Sequence, residues 1–171
     1  MGMPRTLKDM MMFNEGFAYQ GDAKTVTLPT LTRKMEGHRG AGMSGELQMD
    51  MGQEAMEASF VCGGPMRQVL RQWGTPTVDG VYIRFAGNYQ ADDSAAIDHI
   101  EVIMRGRFSE IEMGDQETGE ASEFTTTMAV AYYKLVWNGR TELEIDPLNM
   151  IEVVDGIDRL AERRALLGVF I

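Results

Sequence analysis

Apolar and polar residues alternate with a period of two along most of the chain, the mark of strands with one buried face. Val26 and Leu28 oppose Thr25 and Thr27 within the Thr-rich stretch Ala23 to Lys34, where Pro29 predicts an edge or a bend. Leu47, Met49 and Met51 alternate with Glu46, Gln48 and Asp50; Met56, Ala58 and Phe60 with Glu57 and Ser59; and Val81, Ile83 and Phe85 with Tyr82 and Arg84. Ile100, Val102 and Met104 oppose Glu101, Ile103 and Arg105, so this strand is partly apolar on its second face as well. The longest run, Phe124 to Trp137, ends at Asn138-Gly139, a pair that tolerates the positive φ angles of a type I′ turn. A return strand over Thr141 to Ile145 and a short one over Met150 to Val154 follow.

Helical spacing occurs twice. Met66, Val69, Leu70 and Trp73 fall at i, i+3, i+4 and i+7, with Pro65 suited to the first turn and Gly74 to the stop. Asp158 to Leu167 sets Leu160, Ala161 and Leu167 against Arg159, Glu162, Arg163 and Arg164, with Asp158 as N-cap and Gly168 as the closing residue. Many strands with two short helices predict a mainly β fold: a small barrel or sandwich of antiparallel strands with a helix plugging one end. No linker or solenoid repeat divides the pattern, and 171 residues suit a single domain, 1–171.

Composition narrows the function. The longest apolar runs fall well short of a membrane span, and Met1 to Phe13 lacks the continuous apolar core of a signal peptide, so a cytoplasmic product without a membrane anchor is expected. A net charge of −10 opposes a surface that holds nucleic acid and is compatible with a wall past which a polyanion moves without sticking, but on charge alone it reads as an aid to solubility. The lone Cys62 has no companion thiol for a disulfide.

Candidate chemistry is sparse. Gly40-Ala41-Gly42-Met43-Ser44-Gly45 spells G-x-G-x-x-G, but an alternating strand follows it where a nucleotide site needs a helix N-terminus; a glycine-rich loop is expected instead. His38 and His99 lack metal-ligand spacing. The acidic stretch Glu110, Glu112, Asp115, Glu117, Glu120 and Glu123 lacks the EF-hand pattern and reads as a solvated loop or channel wall. No catalytic residue, cofactor or metal is expected, and the 15 methionines suit core filling or adaptable contact surfaces.

Four segments together resemble the major tail tube protein of contractile-tailed temperate enterobacterial phages, and the tube subunit of R-type pyocins. They are Thr25 to Met43 (TVTLPTLTRKMEGHRGAGM), Ile83 to Asp93 (IRFAGNYQADD), Ile100 to Arg107 (IEVIMRGR) and Glu144 to Gly168 (EIDPLNMIEVVDGIDRLAERRALLG). Pro4-Arg5-Thr6-Leu7-Lys8 also fits the family's start; Glu57 to Thr77 matches less well, and Val169-Phe170-Ile171 extends past the usual closing glycine.

The resemblance implies a β-barrel of two packed sheets with a flanking helix. It further implies hexameric rings stacked helically inside a contractile sheath, a non-enzymatic conduit for DNA, in plan like the tube of type VI secretion. The implied partners are further copies of the chain, the tail sheath, tape measure, baseplate hub and tail terminator proteins, with DNA as a passenger; the implied location is the virion, after assembly in the host cytoplasm. Strands apolar on both faces fit this, because ring formation covers the second face and pairs open strand edges.

Within that picture the loop Glu36, Gly37, His38, Arg39, Gly40, Ala41, Gly42, Met43, Ser44 and Gly45 is expected to order against a neighbouring ring. Glu46, Gln48, Asp50, Glu110 and Glu112 are expected to face the channel. A headless bacteriocin with the same tube is one alternative. The other, from a different class, is a monomeric barrel that binds a ligand in its interior.

Overall fold

The computed structural model describes residues 2–169. Its strands are β1 (Thr6–Asn14), β2 (Phe17–Ala18), β3 (Ala23–Thr27), β4 (Arg33–His38), β5 (Leu47–Gln53), β6 (Met56–Cys62), β7 (Val81–Gln90), β8 (Ile97–Glu112), β9 (Phe124–Trp137), β10 (Arg140–Asp146), β11 (Ile151–Val154) and β12 (Ile157–Asp158). Two short helices are α1 (Arg67–Arg71) and α2 (Ala161–Leu166). The fold is mainly β, as the alternation predicts, with two antiparallel sheets and two short helices.

The two sheets are unequal. A ten-stranded sheet runs β12-β11-β10-β9-β8-β7-β1-β2, with β6 and then β3 attached at β9; β4 and β5 form a two-stranded sheet of their own. The long strand β9 explains the branch. One of its edges pairs with β8, while the other is divided between β6, over Phe124 to Val130, and β10, over Tyr133 to Trp137. The inward positions of these strands meet in one core that includes Met12, Phe60, Ile83, Phe85, Val102, Met104, Phe108, Phe124 and Met128. Phe60 and Phe108 meet edge to face, with ring centroids 6.1 Å apart.

Local chemistry accounts for the joints. Asn138 and Gly139 take φ angles of 48° and 81°, and Arg140 pairs with Trp137 across the turn that joins β9 to β10. The β8–β9 register slips between Arg105 and Gly106, where the backbones run so close that a Cβ on Gly106 would lie 1.9 Å from the Ala129 carbonyl oxygen. The Thr-rich stretch bends as Pro29 predicts: β3 ends at Thr27 and β4 begins at Arg33.

Three features depart from the sequence pattern. Strand β1 is hidden in the sequence because Met10 to Phe13 is continuously apolar and a register shift falls between Leu7 and Asp9, so no alternation survives. Around α1, Val69 is fully buried and Met66 packs against the core, while Leu70 and, just past the helix, Trp73 are exposed. The Gln72 amide exchanges hydrogen bonds with the buried Asn14 amide at 2.7 and 3.0 Å, and Asn14 also donates to the Tyr19 hydroxyl at 2.8 Å. Burial pushes the Tyr19 phenol up to about 12, keeping it neutral in this cluster.

The closing helix α2 has no buried residue, and Leu166 and Leu167 face solvent. Its cap differs from the expected one. Asp158 accepts from the Leu160 backbone N–H and pairs with Arg164 at 2.8 Å, while Leu160 itself occupies the cap position. Of the apolar extension, Phe170 and Ile171 lie outside the described residues.

Candidate assembly surfaces

The β4–β5 hairpin is the feature that a self-contained fold does not explain. In its register Glu36 lies across from Met49, Gly37 from Gln48 and His38 from Leu47. Directly opposed residues share a face, so Leu47, Met49 and Met51 form one stripe with Glu36 and His38, while Gln48 and Asp50 line the reverse. Strict alternation normally marks a buried face, yet Leu47, Met49 and Met51 are 64, 43 and 53% exposed. The apolar stripe of this hairpin has nothing of its own chain to pack on.

The reverse face is anchored to the body. Arg33 donates to Asp50 at 2.8 Å and to Glu152 on β11, also at 2.8 Å. These hydrogen bonds raise the pKa of the guanidinium and hold the Asp50 carboxyl below its usual range.

The expectation of a loop over Glu36 to Gly45 needs correction at its start. Glu36, Gly37 and His38 belong to strand β4, because period-two pairing with β5 continues through them; the connection proper runs over residues 39–46. Within it the Met43 N–H donates to the Gly40 carbonyl at 3.2 Å, and Met43 folds back so that its sulfur accepts from the Gly40 N–H. Arg39, Ala41, Ser44 and Gly45 stand at the exposed tip.

The acidic residues expected to line a channel fall in two places. Glu46 leads into β5, with its carboxylate lying over Gly37, and Gln48 and Asp50 follow on the strand. Glu110 and Glu112 end β8, opposite Thr127 and Thr125, at the mouth of the acidic loop. That loop is pinched at its neck, where a Cβ on Gly114 would lie 2.6 Å from the Glu123 carbonyl oxygen.

One surface gave no signal in the sequence. A groove of about 440 Å³ lies between the β5–β6 turn, the outer face of β8 and β9, and the β10–β11 turn. Ala55, Ala129 and Ala131 line it together with Val78 and Leu148, and its charged lining residues are Glu54 and Arg107. It draws on segments scattered from Gln53 to Leu148, so no motif marks it.

The remaining candidates place no reactive group. Burial pushes the Cys62 thiol up to about 11, which leaves it protonated and unreactive at neutral pH. His38 is on the hairpin, whereas His99 sits on β8 between Asn88 and Glu101, 3.0 Å from each. Strand β5 follows the G-x-G-x-x-G stretch, which rules out the nucleotide-binding geometry. Among the described residues no group of three or more His, Cys, Asp or Glu converges as a metal site. The interior that a monomeric binder would use as its pocket is filled by Met12, Phe60, Phe108 and Met128.

Comparison with known proteins identifies the family. A family model described as phage tail tube protein FII matches residues 4–168. The tail tube protein of Escherichia phage P2 is 44% identical over 172 residues, which cover 99% of this chain and 100% of that protein. The major tail tube protein of Serratia phage KSP20 is 33% identical over 165 residues, 95% of each. Among solved structures, the fold is shared with a chain of the PVC sheath-tube complex of an extracellular contractile injection system in its extended state. That match has a TM-score of 0.58 at 8% identity, covering 78% of this chain and 91% of the other. The sheath/tube terminator structure of the same system gives 0.59 at 7% identity, covering 78% and 96%. Matched from end to end by relatives that are tail tube proteins, the chain belongs to the phage tail tube protein family and is a structural tube subunit of a phage tail, not an enzyme.

Proposed function

We propose that the whole chain, 1–171, acts as one tube domain, and that its copies close into hexameric rings stacked into a hollow conduit for DNA ejection into the host. The observation that carries this reading is the β4–β5 hairpin, whose apolar stripe Leu47, Met49 and Met51 is exposed in the single chain. A neighbouring copy covers it, and the tip, Arg39 to Gly45, reaches the next ring. Assembly takes place in the host cytoplasm. The contractile sheath surrounds the tube, the tape measure protein occupies its bore during assembly, and baseplate hub and terminator proteins close its ends.

The bore is acidic and passes DNA without holding it, in keeping with the net charge of −10. Glu46, Gln48, Glu110 and Glu112 face it; Asp50 shares that face and is paired with Arg33.

Negative-stain electron microscopy across a concentration series tests the proposal. Hollow tubes or stacked rings of uniform bore with six-fold end views are expected. Dispersed single copies at every concentration, even after addition of preformed baseplates, would overturn it.

A further inference from the structure

We propose that the groove over Ala55, Ala129 and Ala131 is the socket for the hairpin of a second copy, with Met49 seated in it and Glu36 paired to Arg107. The inference rests on the tube reading above and deepens it by naming the two halves of one contact.

Shape is the first argument. Three alanines line the groove, together with Val78 and Leu148, 43 and 69% exposed, whose apolar surface is open to solvent. A lining of small residues leaves room for long side chains, and the flexible thioether of Met adapts to an irregular hollow. The hairpin carries Leu47, Met49 and Met51 in a row.

Charge is the second. On the hairpin, Glu36 is the direct cross-strand neighbour of Met49; in the socket, Arg107 is the direct cross-strand neighbour of Ala129. Seating Met49 on Ala129 therefore brings a carboxylate to a guanidinium. Neither Glu36 nor Arg107 forms an ion pair among the described residues of its own chain. Glu54 also lines the groove and Glu57 flanks Ala129 from β6, so Arg107 is the cation of this lining and the group to which a carboxylate beside Met49 would pair.

Reach is the third. Gln53, at the root of β5, already lines the groove, and an extended strand rises about 3.3 Å per residue, which puts Met49 roughly 13 Å away from it. A hairpin leading away from its own socket meets the socket of another copy. Because hairpin and socket are different surfaces, the contact is heterologous: each copy gives one and receives one, the arrangement that closes rings or extends helical stacks.

A charge exchange tests the pairing. Glu36→Arg and Arg107→Glu each set like charges together, and each is expected to raise the concentration needed for tube formation by about tenfold. The double exchange should return it to near the original value, with all three variants melting as the parent does. In parallel, one preparation carrying Met49→Cys is mixed with another carrying Ala129→Cys before assembly and oxidation. A disulfide-linked dimer is expected from the mixture and from neither preparation alone. Tubes that form while the double exchange fails to rescue and the mixture yields no dimer would overturn the socket and leave the tube reading standing. Parent protein that forms neither rings nor tubes would overturn the tube reading itself.

Discussion

Arg33 donates from Nη1 to Glu152 at 2.8 Å, joining the hairpin to β11 across 119 residues of sequence. The same guanidinium grips Asp50 through Nε, so one side chain sets the angle at which β4 and β5 leave the body. Arg33→Met keeps the stem and removes both hydrogen bonds. Ion pairs as exposed as this one contribute at most about 1 kcal/mol, so the expected result is amide exchange up to about fivefold faster in β4 and β5, with the core strands unchanged. Exchange measured by mass spectrometry on the assembly-free protein checks it; uniform loosening of the whole chain would contradict it.

Acid should weaken two anchors together. Hydrogen bonding from Arg33 holds Asp50 below the usual carboxyl range, and hydrogen bonding from Arg164 does the same for Asp158. A depressed carboxyl stabilises the fold above its unfolded pKa, and the stabilisation is lost as pH falls through the lower folded value, here below about 4. Melting curves from pH 7 to pH 3 for the parent and for Asp50→Asn with Asp158→Asn should separate at neutral pH and converge in acid. Parallel curves would show that neither carboxylate matters.

At Gly106 the constraint is steric. The close approach to the Ala129 carbonyl oxygen, 1.9 Å from an added Cβ, involves backbone on both sides, and no side chain can move aside to relieve it. Gly106→Ala must therefore part β8 from β9 at the register shift, in the middle of the core's longest pairing. A loss of more than about 4 kcal/mol is expected, enough to leave little soluble protein. Recovery of a variant that melts within a few degrees of the parent would refute this.

Legibility in the sequence followed the range of the interaction. The run from β9 through Asn138-Gly139 into β10 was readable because alternation and turn chemistry are local, and the fold class followed from many such runs. Strand β1 escaped because Met10 to Phe13 presents apolar residues to both faces. The Leu47, Met49 and Met51 stripe was visible as a pattern, but a period of two reports that a face is apolar without saying what covers it. The hairpin therefore reads like any core strand until the structure shows its stripe in solvent. The alanine-lined groove and the Arg33–Glu152 bond join distant segments, and neither leaves a local trace.

That stripe separates folding from assembly. Replacing Leu47, Met49 and Met51 together by Ser removes apolar surface that is already open in the single chain, so each change should fall within about 0.5 kcal/mol and the triple variant should melt close to the parent. In an assembled tube the same side chains would be buried, and apolar burial is worth about 25 cal/mol per Å². The variant should therefore lose tube formation while keeping its fold, read as unchanged thermal unfolding beside a failure to pellet at concentrations where the parent does. Had these residues been core, unfolding would move first and assembly would follow it down; a fall of ten degrees or more in melting temperature would assign the stripe to folding and remove the hairpin from the assembly surface.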